Sequence, residues 1–130
     1  MSEEEARRYL LSHASVMDTQ ISREIDYCLS HYHNLIPRML LSYDRAAFYA
    51  MDNTQFRITF DENILWRDHD VTLTTGIGGT AVLPADTILM EVKTADAIPL
   101  WLVQLLSREK IYKTSFSKYG TAWLQKQRRF

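Results

Sequence analysis

The sequence lacks most of the features that would settle its class at once. One cysteine, Cys28, in 130 residues excludes an internal disulfide framework. Glycine is scarce. Three of the four glycines fall in a single stretch, TTGIGGTAVLP at residues 74–84, which reads as a flexible turn or loop. Charge of one sign is also missing. Fifteen basic side chains meet sixteen acidic ones, for a net charge of −1. No global basic field draws this chain to DNA or RNA, so an anion site has to come from local placement of Arg and Lys. No apolar run approaches the ~20 residues of a membrane-spanning helix. The opening MSEEEARRY is acidic where a secretory leader is basic. These absences lead us to expect a soluble protein in a reducing, cytoplasmic setting, with no nucleic-acid partner and no transmembrane segment.

What is present supports a packed core. Hydrophobic residues make up 46% of the chain and charged residues 24%, as in ordinary globular proteins, and the length fits one domain. Residues 2–13 read as a short helix, with Ser2 and Glu5 in capping-box spacing. A second helix is expected from Thr19 to Tyr32, with Ile21, Ile25, Cys28, Leu29 and Tyr32 as its apolar stripe. Pro37 then forbids much continuation. Beyond it the period changes. Residues 38–50 read as a strand ending at the Asp52-Asn53 turn, and FRITFD at 56–61 is its hairpin partner. Residues 64–74 offer one or two short strands, and TILMEVK at 87–93 alternates again. A third helix is expected near Asp96, with Pro99 in its first turn and Ile98, Leu102, Leu105 and Leu106 on its buried side. A short strand at 111–113 and a last helix from Ser115 or Ser117, carrying Trp123 and Leu124, complete an α+β reading with an antiparallel sheet of five or six strands flanked by helices.

The strands alternate apolar and charged faces. In FRITFD, Phe56, Ile58 and Phe60 share one face, expected as ordinary core, and Arg57, Thr59 and Asp61 share the other. Arg45, Glu91 and Lys93 fall on similarly alternating positions. Pattern alone favours a solvated face laced with cross-strand ion pairs. Two details point toward a ligand. Thr59 beside Arg57 is short and leaves a guanidinium room to approach an anion, and arginine presents a planar fork matched to phosphate oxygens. Lys118 is expected in the first turn of a helix, the wrong end for a cation. A bound anion there would reverse the penalty, with backbone N–H groups and the hydroxyls of Ser115 and Ser117 joining in. A surface lysine extending away from the helix end is the alternative. Glu91 is a hard oxygen ligand suited to Mg²⁺ or Mn²⁺, or one half of an ion pair with Lys93 or an arginine.

Other candidates recede. GIGG at 76–79 has no following Lys-Ser/Thr and is not a P-loop. His31 and His33 do not share a helical face, and His69 between Asp68 and Asp70 reads as part of a turn. Cys28 is expected in the core, and Trp66, Trp101 and Trp123 as packing residues.

Five segments, LIPRMLLSYDRAAF, FRITFDENILWR, ILMEVK, IPLWLVQLL and SFSKYG, resemble in their order the VTC domain. This is the polyphosphate-polymerase domain of vacuolar transporter chaperone proteins and their bacterial relatives, within the triphosphate tunnel metalloenzyme group. The resemblance runs from about residue 20 to 125. It implies an antiparallel, barrel-like β-tunnel whose basic lumen holds triphosphate or polyphosphate. It also implies ATP as phosphoryl donor and Mn²⁺ or Mg²⁺ as cofactor. Carried over residue by residue, Arg45, Arg57, Lys93 and Lys118 are the catalytic and phosphate-binding cations. Arg67 and Ser117 join them as binding residues, and Glu91 is the metal ligand. The resemblance further implies that residues 1–130 are the C-terminal portion of such a tunnel domain, without its N-terminal strands. An open half-tunnel invites self-association, so a homodimer that completes the tunnel is expected. The alternative to a phosphotransferase is a catalytically incomplete polyanion-binding module.

Overall fold

The alternating run after Pro37 forms β1 (Leu40–Tyr49), and the segment after the Asp52-Asn53 turn forms β2 (Arg57–Arg67). These are seen in a computed structural model that describes residues 2–12, 18–32 and 35–128. The turn is closed by the Phe56 amide donating to the Asn53 carbonyl at 3.0 Å and the Ala50 amide donating to the Phe56 carbonyl at 3.1 Å. The two strands pair antiparallel from Tyr49↔Arg57 to Leu40↔Arg67. FRITFD is therefore the start of a longer strand, and residues 64–67, expected as a separate short strand, continue it.

One irregularity governs what each side of β2 faces. Asp44 lies opposite Glu62, whereas Ser42 lies opposite Leu65, so Asn63 and Ile64 together oppose the single Tyr43. This is a β-bulge. Asn63 takes a positive φ of 52°, a conformation that asparagine tolerates better than most residues. Its amide donates to Asp44 Oδ2 at 2.8 Å. Because side chains alternate with period two, one extra residue exchanges the faces downstream. Arg57, Thr59 and Asp61 share their face with Arg45, and past the bulge Ile64 and Trp66 share it with Leu41 and Tyr43.

The second edge of β2 is divided between β3 (Thr80–Ala81), paired with Leu65 and Trp66, and β4 (Leu89–Lys93), paired with residues 57–61. The result is an open four-stranded antiparallel sheet, not a closed tunnel. The expected strand at 111–113 is not formed; residues 111–117 run without regular structure. Two helices belong to this unit, α3 (Leu100–Arg108) and α4 (Lys118–Gln127). Pro99 stands just before α3. Ser117 caps α4, its Oγ accepting from the Gly120 amide at 3.1 Å.

The core forms where the bulge turns the sheet apolar. Ile64, Trp66, Val82 and Ala122 of α4 cluster there, flanked by Met39, Leu41, Leu83, Leu89 and Phe116. Trp66 Nε1 donates to Gln125 Oε1 at 2.7 Å, and Gln125 Nε2 donates to the Val82 carbonyl at 3.0 Å, so a polar relay ties sheet to helix inside the apolar contact. The expected distribution of faces is reversed over the second half of FRITFD. Phe56 is buried, with Trp101 of α3 edge-on at 6.3 Å, but Phe60 is 36% exposed and its neighbour Phe48 60%. The charged face is the covered one, with Thr59 at 4% and Asp61 at 0%. Charged partners from β1 and α4, not solvent, close over it.

Gly79 approaches the same strand. Its φ is +141°, and a Cβ added there would lie 2.3 Å from the Trp66 carbonyl oxygen. Gly79→Ala should therefore destabilise this unit by about 2 kcal/mol or more, read as a lower midpoint with an unchanged slope in urea unfolding.

The chain divides into two compact units, Met1–Pro37 and Arg38–Phe130. The first contains α1 (Glu3–Ser12) and α2 (Gln20–His31). The capping box at Ser2 and Glu5 is formed: the Ser2 amide donates to Glu5 Oε2 at 2.6 Å and the Glu5 amide to Ser2 Oγ at 3.2 Å. Thr19 and Ser22 make the reciprocal pair at the start of α2. Tyr9 is buried and donates to the Ser22 carbonyl at 3.0 Å. Burial and the nearby Asp26 push its hydroxyl pKa up to about 12. Of the expected stripe only Leu29 is buried; Ile21, Ile25 and Tyr32 are exposed, and so is Cys28, which is not a core residue. His13, the expected last residue of the first helix, and His33 lie outside the described residues.

Candidate functional site

The covered face carries charges from four elements. β1 contributes Arg45, β2 Arg57 and Asp61, β4 Glu91 and Lys93, and α4 Lys118. The pairings Arg45↔Asp61, Tyr49↔Arg57, Glu91↔Thr59 and Lys93↔Arg57 place the strand residues on one side of the sheet. The two arginines therefore share a face, as the resemblance implies.

Asp61 is the centre of the arrangement. Arg45 grips it with two parallel bonds, Nε to Oδ1 at 2.6 Å and an Nη to Oδ2 at 2.8 Å. Lys118 Nζ lies 2.7 Å from Oδ2. The pair with Arg45 is the bidentate, charge-assisted kind, the strongest ordinary hydrogen-bond geometry. The Arg45 guanidinium, with Lys118 behind it, holds the Asp61 carboxyl down to about 2 against the opposing effect of burial. Asp61 in turn pushes the Arg45 pKa up. Tyr43 lies against both cations, its ring centroid 5.0 Å from Arg45 Cζ and 4.9 Å from Lys118 Nζ, close enough for cation–π attraction.

Glu91 forms the second centre. Lys93 Nζ is 2.9 Å from its Oε1, and an Arg45 Nη is 3.8 Å from Oε2. The hydrogen bond to Lys93 lowers the Glu91 pKa. On the same face, opposite Glu91 and two positions before Asp61, lies Thr59, whose buried Oγ1 has no hydrogen-bond partner among the described residues. A hydroxyl left so costs about 1–3 kcal/mol. Arg57, half-buried, forms no ion pair among the described residues. Four cations against two carboxylates leave two positive charges on this face, in a chain whose total is −1.

The remaining expected residues fall elsewhere or play a second part. The Ser117 oxygen serves as the α4 cap, next to Lys118. The awkward position of Lys118 at a helix start is resolved within the chain, because Asp61 supplies the anion. Arg67 is not brought to this face. It pairs with Leu40, on the opposite side of the sheet from Arg45. Its guanidinium is enclosed by backbone carbonyls of the 70–78 loop, among them Thr75 at 2.5 Å, Gly76 at 2.8 Å and Asp70 at 3.2 Å. It organises that loop.

Sequence reading missed Asp61 and Tyr43. Asp61 was legible as a member of the Arg57 face, but its burial depends on Arg45 and Lys118, which lie 16 and 57 positions away in the chain. Tyr43, inside the SYDR segment, carried a weak signal: two positions before an arginine in a strand, it had to share that arginine's face.

A divalent metal, implied by the resemblance, finds one suitable donor. Both oxygens of Asp61 are engaged and buried. Among the described residues Glu91 Oε2 has only the 3.8 Å contact with Arg45 and can offer itself to a cation. No group of three or more metal-ligating side chains occurs among the described residues. That fits Mg²⁺ or Mn²⁺ arriving with phosphate oxygens and taking one carboxylate from the protein. It does not fit a cage built by protein alone.

The family model of the VTC domain matches residues 3–125, and the chain belongs to that family. No curated protein and no solved structure gives a match. No helix among the described residues is long and apolar enough to cross a membrane.

Proposed function

We propose that this VTC-domain chain binds triphosphate or polyphosphate on the face formed by Arg45, Arg57, Lys93 and Lys118, and that the site belongs to phosphoryl transfer from ATP to a polyphosphate end. One observation carries the reading: four cations from separate elements converge on one side of the sheet with only two carboxylates between them. Arg57, half-buried and without an ion pair among the described residues, has donors available to phosphate oxygens. Catalysis on such a face is electrostatic. The acceptor's terminal oxygen attacks the γ-phosphorus, ADP leaves, and the cations stabilise the charge spread over the transferring group. Glu91 would hold Mn²⁺ or Mg²⁺ against the phosphates, where the ion supplies further charge neutralisation.

Calorimetric titration with inorganic triphosphate in the presence of Mg²⁺ tests the binding step. The wild type should take up the anion, and Arg57→Ala, which breaks no ion pair seen in the fold, should weaken binding about tenfold, by about 1.4 kcal/mol. No uptake by the wild type would leave the face a structural ion-pair network.

The open sheet supports a second reading, a binding module that is not a complete enzyme by itself. The outer edge of β1 has no strand partner among the described residues, and such an edge invites pairing with a second copy that would enclose the face. ATP turnover with Mn²⁺, measured beside light scattering across concentration, separates the readings: binding without turnover selects the module.

A further inference from the structure

Two of the cations come from parts of the chain with no reason of their own to stay together. Arg45 lies mid-strand in β1, and Lys118 begins α4. They meet on one carboxylate. Asp61 has no exposed surface, so it cannot touch a ligand that enters from solvent. The side chains it holds can: Arg45 is 34% and Lys118 17% exposed. Both of its oxygens are used, Oδ1 by Arg45 Nε at 2.6 Å and Oδ2 by Arg45 at 2.8 Å and Lys118 at 2.7 Å. Two cations sharing one oxygen would otherwise repel each other, and the Tyr43 ring lies against both. The bidentate grip fixes the plane of the guanidinium as well as its place, which leaves its remaining donors pointing in a set direction.

We propose that Asp61 is the positioning residue of this face, its buried carboxylate setting the spacing and orientation at which Arg45 and Lys118 meet the phosphate groups of one ligand. The proposal rests on the triphosphate reading above and adds to it a residue that never contacts the anion. It has a signature that bulk electrostatics does not share. Deleting a negative charge beside an anion site should strengthen anion binding if charge alone matters. Deleting a positioning carboxylate should weaken it, because the freed side chains must be reordered by the ligand itself.

The test is titration of the folded protein with inorganic triphosphate in the presence of Mg²⁺, with circular dichroism to establish that each variant is folded. Asp61→Asn, close in shape but neutral, should bind about tenfold more weakly than wild type. Equal or tighter binding would overturn the proposal while leaving the triphosphate reading intact. Absence of uptake by the wild type would overturn both. Should Asp61→Asn not fold, the charge-compensated pair Asp61→Asn/Lys118→Met is compared with Lys118→Met alone. The pair should still bind several-fold more weakly than the single variant, because Arg45 has lost its grip, and equal affinities would overturn the proposal.

Discussion

Asp61→Asn should lower the unfolding free energy at pH 7 by about 3–5 kcal/mol, the usual consequence of removing one partner of a buried charge network. The effect is large because the change removes the carboxylate that bonds both Arg45 and Lys118 and leaves both cations facing a neutral amide. It also has a pH signature. The Asp61 carboxyl, ordinarily near 3.8, is held at about 2 in the folded chain, so the unfolded chain binds its proton first as the solution is acidified. The stabilisation linked to that difference, about 2 kcal/mol, is fully present above the unfolded value and disappears as pH falls toward the folded one. Wild type and variant should therefore differ most at pH 5 and above and converge by about 2 kcal/mol on the way to pH 2. Glu91, also lowered, titrates in both proteins and largely cancels in the comparison. Urea unfolding followed by circular dichroism at several pH values measures the gap; two parallel curves would show that the carboxylate is not coupled to folding in this way.

Trp66→Ala should cost a similar amount, about 3–5 kcal/mol, for a different reason. Trp66 is 2% exposed at the centre of the core cluster, and alanine would leave a cavity between β2 and α4. It would also strip Gln125 Oε1 of its donor. Trp66→Phe separates the two contributions. It fills most of the space and loses the hydrogen bond, and should cost about 1–2 kcal/mol. If Phe proved as damaging as Ala in urea unfolding, the relay through Gln125 and not the packing would dominate this contact.

Local rules made much of the fold readable. Capping chemistry at Ser2, at Asp18 or Thr19 and at Ser115 or Ser117 marked helix starts because those signals act within three or four residues; the structure uses Thr19 and Ser117. The hairpin from β1 into β2 was legible from alternation on both sides of Asp52-Asn53. The same period put Arg57 on the face of Thr59 and Asp61, and Glu91 on that of Lys93. Their common face with Arg45 was implied by the resemblance, because alternation does not fix the register between strands. What alternation does not contain is which face receives cover. FRITFD puts two phenylalanines on one side and three polar residues on the other, and transfer energies alone would bury the phenylalanines. The chain buries Phe56 but leaves Phe60 at the surface and covers Thr59 and Asp61 instead, because Arg45 and Lys118 neutralise Asp61 there. Long-range pairing of this kind leaves no trace in a short window. Arg67 is the complementary case. The family resemblance grouped it with the phosphate cations, but the bulge at Asn63 reverses the parity of everything after it, and the guanidinium ends among loop carbonyls.

That bulge has a consequence for how this strand can change over time. Substitutions in β2 act one position at a time, but gaining or dropping a single residue between Asp61 and Ile64 would turn the remaining half of the strand inside out. Trp66 would trade sides with Leu65, and the dry half would no longer sit under α4. Sequence length across those few residues is thus a property as constrained as any side chain. Alignments that slide a gap through this stretch would misassign wet and dry positions for the rest of the strand.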